Sequence, residues 1–194
     1  MITTEDVKKL REETGVSIMQ CKKALEEAGG DMAKAKVILQ KKGSAIAAKK
    51  ADRELGSGVV QAYVHSTNTI AGIVVLACET DFVAKNEEFI KLAYEIAMQV
   101  AATAPEFMKR EEVDEKAMKA AKEVFAKEIE GKPKDLQDKI LQGKLDAYFK
   151  DKILLEQAYI KDDSKTVQGL IDEATQKFGE RIELVRFERF SVRG

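Results

Sequence analysis

The chain has 194 residues, 44% of them hydrophobic, enough to bury a sizeable core as one large domain or two small ones. Its 33 Lys and Arg against 34 Asp and Glu leave a net charge of -1, so bulk electrostatics give no reason to expect nucleic acid or an anionic membrane as partner. Cys21 and Cys78 lie in apolar patterns without a paired framework, the start MITTEDVKKLREE is charged, and the longest apolar run, Ile70 to Cys78, is far short of the ~20 residues of a membrane span. A soluble cytoplasmic protein with buried thiols is expected.

The first forty residues carry the punctuation of three short helices. Thr3 or Thr4 caps the first, in which Val7 and Leu10 share a face before Thr14-Gly15 ends it. Ser17 with Gln20 has the pattern of a capping box for the second, with Cys21, Ala24, Leu25 and Ala28 inward and Gly29-Gly30 as its stop. Asp31 caps a third, with Met32, Ala35, Ile38 and Leu39 inward and an end expected at Gly43. So small a bundle suits a docking surface better than a catalytic scaffold. From Lys34 to Arg53 there are seven basic residues and one acid, Asp52. Without interleaved aromatics to stack on bases, that strip reads as a solvated helix rather than a phosphate track. It leads to a Gly-Ser linker near Gly56 to Gly58, which divides a module at 1–55 from a core domain at 56–194.

The core domain opens with the alternating VVQAYVH, the turn STNT and the continuous run IAGIVVLAC, an antiparallel hairpin. Asn86 followed by Glu87 and Glu88 starts a helix on which Phe89, Leu92, Ala93, Ile96, Ala97, Val100 and Ala101 repeat until Ala104-Pro105. Residues from about 111 to 158 read as a projecting pair of charged helices around Gly131-Lys132-Pro133. Val113, Ala117, Ala120 and Val124 form one inner face, and Leu136, Ile140, Leu141, Leu145 and Phe149 the other. Ser164 is expected to open a further helix that ends at Gly179, and RIELVRFERFSV alternates as a strand. The fold class is α+β: a three-helix module, then a three-stranded antiparallel sheet with helices segregated to one face.

Between hairpin and helix lies ETDFVAKNEEF, Glu79 to Phe89, a corner that places an acid beside a large aromatic. Phe82 there reads either as a projecting group or as a staple onto the core. No catalytic constellation accompanies it. The only histidine, His65, stands beside Ser66 with neither cysteine near it in sequence, and there is no phosphate-cradling loop and no cysteine pair at zinc spacing. Glu87 and Glu88 serve the helix start rather than a metal. No catalytic residue, cofactor or metal is assigned, and the residues alone indicate a binding protein.

Several long stretches resemble the bacterial elongation factor Ts family. They are KKLREETGVSIMQCKKALEEAGGDMAKA, TDFVAKNEEF, PEFMKREEV, the segment from GKPKDLQDKI to TVQGLI, and the closing VRFERF, all in the family's order. The resemblance implies a guanine-nucleotide exchange factor for the translational GTPase elongation factor Tu, not an enzyme. On that resemblance, Thr80, Asp81, Phe82 and Val83 form the turn that dislodges Mg²⁺ from the GTPase. Leu10, Arg11, Val16, Met19 and Cys21 belong to a ubiquitin-associated-like docking module. A ubiquitin-associated-like peptide adaptor without exchange activity is the alternative, and it leaves TDFVAKNEEF without a role. Longer members carry two related core halves where this chain shows one. The uncovered sheet face, with Val60, Val64, Ile73 and Val75, therefore predicts a homodimer, the alternative cover being the helical pair at 111–158 folded back over it.

Overall fold

Local capping sets the N-terminal helices in the computed structural model, which describes residues 2–129 and 133–193. Helix α1 (Thr4–Thr14) opens on a capping box in which Thr3 Oγ1 accepts from the Asp6 amide at 3.1 Å and the Asp6 carboxylate accepts from the Thr3 amide at 2.9 Å. Helix α2 (Ile18–Glu27) is capped by Ser17, and α3 (Met32–Lys49) by Asp31, whose carboxylate accepts from the Lys34 amide at 3.0 Å. The hairpin strands β1 (Ser57–Val64) and β2 (Ile70–Cys78) follow, then the single-turn α4 (Asp81–Ala84) and the long α5 (Glu87–Thr103). The charged pair is α6 (Glu115–Ile129) and α7 (Lys134–Lys152), and the break expected at Gly131-Lys132 falls outside the described residues. Strands β3 (Ala158–Tyr159) and β4 (Asp162–Thr166), helix α8 (Val167–Phe178) and strand β5 (Ile182–Ser191) complete the chain. The main sheet is antiparallel in the order β1-β2-β5, as the α+β reading requires.

Four local readings need correction. The capping box belongs to Thr3 and Asp6, because the Gln20 side chain is turned away to accept from Gln176 Nε2 at 2.7 Å. Helix α3 does not stop at Gly43. It continues through that glycine, which has ordinary helical backbone and packs closely on α8: a Cβ there would come 3.1 Å from Gln176 Oε1 and 3.4 Å from the Asp172 carbonyl. Ser57 and Gly58 are the first residues of β1 rather than part of a spacer before it. Ser164 does not open α8, because residues 162–166 pair with β3, Tyr159 opposite Asp162 and Ala158 opposite Thr166.

The chain divides into two compact units, and β1, β2, α5 and β5 each contribute a segment to both. The first comprises residues 1–61, 74–95 and 168–186. Within it Val7, Leu10, Val16, Cys21, Ala24, Leu25, Ala35 and Leu39 form the buried core of the three-helix module. Helix α8 holds that module through polar contacts. Asp172, almost fully buried, accepts from Ser44 Oγ at 2.5 Å and from Gln168 Nε2 at 2.7 Å, while Gln176 reaches Gln20. Phe89 meets Phe178 edge to face, their ring centres 6.3 Å apart.

The second unit comprises residues 62–73, 96–167 and 187–194. Its pair α6 and α7 encloses a small core of Ala121, Leu145, Phe149 and Ile153, with Phe125, Val113, Ala117 and Leu141 against it. The inner face of α6 is therefore 117/121/125, continued by Val113 just before the helix, and Val124 is exposed. Alanines at 117, 120 and 121 made either stripe possible, and the Phe125 ring packed on Tyr148 at 5.6 Å selects one. The fully buried Gln99 of α5 has its side chain satisfied: its Nε2 donates to Gln157 Oε1 and to the Ala158 carbonyl, each at 3.0 Å, and its Oε1 accepts from the Ile160 amide at 2.9 Å. Here α5 crosses β2 at Gly72. A Cβ at Gly72 would stand 2.2 Å from the Ala97 carbonyl oxygen and 3.0 Å from the Ala101 amide, so Gly72→Ala forces helix and strand apart. The expected loss is about 1–3 kcal/mol, read as a lower urea midpoint with an unchanged slope.

Candidate functional site

The corner after β2 is built from short-range capping and long-range bracing. Thr80 is extended (φ -126°, ψ 156°) and its hydroxyl oxygen faces the Val83 amide at 3.5 Å, which starts the single turn α4. Asn86 then starts α5, its Oδ1 accepting from the Glu88 amide at 2.9 Å. In one helical turn successive side chains point about 100° apart, so adjacent pairs divide between core and solvent. Val83 and Ala84 are buried and anchor the turn, while Asp81 and Phe82 face outward. Phe82 is 81% exposed, the largest value among the big apolar side chains of the described residues, and this rules out the core-staple reading.

Electrostatics around the corner are asymmetric. Asp81 pairs with Lys85, Oδ2 to Nζ at 2.7 Å, both side chains solvent-exposed, and this hydrogen bond with the lysine charge holds its carboxyl below the ordinary aspartate range. The corner's base is tied more firmly. Glu79 accepts from the Arg181 amide at 2.5 Å and from Arg53 Nη1 at 3.1 and 3.2 Å. Burial opposes ionisation of Glu79, yet these donors win and its pKa lies below the usual value. Glu180 in turn accepts from the Thr80 amide at 3.0 Å and from the Thr80 hydroxyl at 2.6 Å. Beneath them the Cys78 thiol donates to the Thr80 carbonyl at 3.2 Å. Burial, with the Glu180 charge adding to it, pushes its pKa up, so Cys78 is an inert structural thiol.

The five residues assigned to docking separate by burial. Leu10, Val16 and Cys21 lie in the module's core, where Cys21 Sγ donates to the Val16 carbonyl at 3.5 Å. They shape the TGVS turn and offer no surface themselves. Arg11 and Met19 are exposed, Met19 at 68%, and beside it Ile18 is exposed too. Sequence reasoning missed Ile18 because its spacing from Cys21 and Leu25 points inward. Its place in the first turn of α2 carries it past the core. Glu180 and Arg53 were missed as well, and no local pattern reveals them, since their partners lie 100 and 26 residues away. The solitary His65 is exposed and its Nδ1 is hydrogen-bonded to the Tyr63 hydroxyl at 3.1 Å.

With this geometry in view, the comparisons with known proteins are concordant. A family model described as Elongation factor TS matches residues 32–194. The chain is 48% identical to the elongation factor Ts of Syntrophomonas wolfei subsp. wolfei over 194 residues, which cover 99% of this chain and 91% of that relative. It is 46% identical to the elongation factor Ts of Thermosipho melanesiensis, with 99% of each chain covered. To that of Moorella thermoacetica it is 47% identical, with 99% and 96% covered.

An aromatic that is already exposed contributes little to stability. Phe82→Ala is therefore expected to change unfolding free energy by no more than about 0.5 kcal/mol in urea titrations, whereas a core phenylalanine would cost about 3–5 kcal/mol.

Proposed function

The chain belongs to the elongation factor Ts family, and we propose that it is a guanine-nucleotide exchange factor for the cytoplasmic translational GTPase elongation factor Tu. The observation that carries this reading is Phe82, a large apolar ring held out in water on a turn whose base is pinned by Val83 and Thr80. Exposing such a ring costs hydration free energy that only a receiving cleft returns.

The factor does no bond chemistry. A GTPase holds its nucleotide through phosphate contacts and Mg²⁺, and release is slow unless something favours the empty state. A protein that binds the empty GTPase more tightly than the loaded one weakens nucleotide binding by the same factor, because the coupling is reciprocal. In this reading Phe82 is the wedge, and Asp81 places a carboxylate where it competes with the nucleotide site for Mg²⁺. Thr80 and Val83 fix the turn from beneath. Arg11 and Met19, with Ile18, form the contact surface of the docking module, shaped by Leu10, Val16 and Cys21. The basic strip is partly neutralised internally: Lys36 pairs with Glu13 and Lys42 with Glu27, each at 2.6 Å, and Arg53 with Glu79. That favours a protein partner over a phosphate backbone.

A homodimer completes the reading. Around the hairpin end in the second unit Val64, Phe190 and Val192 are 59%, 56% and 74% exposed, and they line one shallow apolar depression with Ile70 and Ala71. A second copy related by a two-fold axis covers that surface and protects the sheet edges, as a second core half would in a longer chain.

Release of fluorescent GDP from elongation factor Tu tests the exchange reading. Phe82→Ala should slow stimulated release about tenfold, about 1.4 kcal/mol of coupling. Asp81→Ala should matter most at high Mg²⁺, and an effect indifferent to Mg²⁺ removes Asp81 from that role. For the assembly, light scattering should give about twice 21.6 kDa at micromolar concentration, and Val64→Glu should shift it to the monomer mass. A fully active monomer overturns the dimer.

A further inference from the structure

Two segments a hundred residues apart exchange hydrogen bonds at the base of the corner. On one, Glu79 and Thr80 follow β2; on the other, Glu180 and Arg181 lie between α8 and β5. The Glu79 carboxylate takes the Arg181 amide at 2.5 Å, and the Glu180 carboxylate takes the Thr80 amide at 3.0 Å. Each segment thus supplies a backbone donor to the other's acid, a reciprocal brace made of charge-assisted bonds. Arg53 and Arg181 extend it: Arg53 holds the Glu79 carboxylate through Nη1, and Arg181 Nη1 donates to the Arg53 carbonyl at 2.5 Å.

Glu180 does something more specific than join segments. A hydroxyl has one proton to donate and lone pairs to accept with. The Thr80 proton goes to Glu180 Oε1 at 2.6 Å, which turns a lone pair of the same oxygen toward the Val83 amide at 3.5 Å, the cap that begins α4. A four-residue turn is far below the length at which a helix persists alone, so its orientation rests on that cap and on buried Val83 and Ala84. Phe82 lies between these two restraints, its own side chain 81% exposed.

We propose that Glu180 is a positioning residue: from the loop before β5 it sets the Thr80 hydroxyl and so aims the α4 turn and the Phe82 ring. The inference rests on the exchange reading above. Glu180 need not touch the GTPase. It removes conformers in which the ring points elsewhere, so that less of the binding free energy is spent ordering the turn.

The chain contains no tryptophan. Phe82→Trp therefore places a single fluorophore at the tip and reports its mobility without reference to activity. In the full-length protein Glu180→Ala should lower the fluorescence anisotropy of that reporter. In the Phe82 background it should cut the maximal rate of stimulated GDP release about fivefold, with the half-saturating concentration nearly unchanged because the module still docks. Thr80→Val, which deletes the hydroxyl but keeps the amide, should act in the same direction. The double variant should then be no worse than Glu180→Ala alone. An unchanged maximal rate overturns the proposal, as does a slower rate with unchanged anisotropy, or additive effects of the two substitutions. If Glu180→Ala fails to fold by circular dichroism, Thr80→Val alone decides on the same two readouts. The exchange reading fails separately: Phe82→Ala would then release GDP as fast as the parent, whatever Glu180→Ala does to the anisotropy.

Discussion

Helix α8 carries the constraint on which the first unit depends: a nearly buried carboxylate that needs its partners. Asp172 is matched by Ser44 from α3 and by Gln168 one turn earlier, and Gln176 one turn later reaches Gln20 of α2. A buried charge that loses its hydrogen-bond partner is strongly destabilising, so this seam admits few alternative dockings of the three helices. Gly43 completes it by letting the α3 backbone approach the Asp172 and Gln176 positions. The module has its own apolar core, yet its placement is decided by polar groups. Non-directional apolar contact would tolerate sliding, and hydrogen bonds do not.

The same helix and the loop after it serve the corner. Lys50 donates to the Gly179 carbonyl at 2.5 Å, Lys177 pairs with Glu88 at the start of α5, and Glu180 and Arg181 brace Thr80 and Glu79. Residues 172 to 181 thus touch the module through one set of side chains and the base of the Phe82 turn through another. A protein that engages a partner at two places gains affinity when the distance between them is already set.

In the second unit the polar economy is different. Gln99 is enclosed, and its amide is matched by Gln157, the Ala158 carbonyl and the Ile160 amide, with Thr103 also donating to Gln157 at 2.7 Å. The network specifies where the irregular stretch after α7 passes over α5, a place where an apolar residue would leave those backbone groups unpaired. Nearby, the Arg110 fork holds Glu156 and Asp146, a small exposed cluster whose contribution to stability is modest.

The sequence by itself determined what depends on neighbours in the chain: three capped helices, the hairpin, the α5 stripe from Phe89 to Ala101, the returning strand β5 and the corner as an unusual pairing of acid and aromatic. Periodicity and capping act within a few residues, so they are legible without a fold. The tertiary structure decided the rest. What Gly43 packs against lies about 130 residues later on α8, and which stripe of α6 turns inward depends on where Tyr148 meets Phe125. Residues 162–166 became a strand because a partner strand was there to receive their backbone bonds. Phe82 illustrates the division. Its composition allowed a core staple or a projecting wedge, and only the burial of Val83 and Ala84, with Glu180 arriving from a distant loop, left the ring in water. Burial and long-range hydrogen bonds are properties of what the chain meets, and a linear pattern carries no record of that meeting.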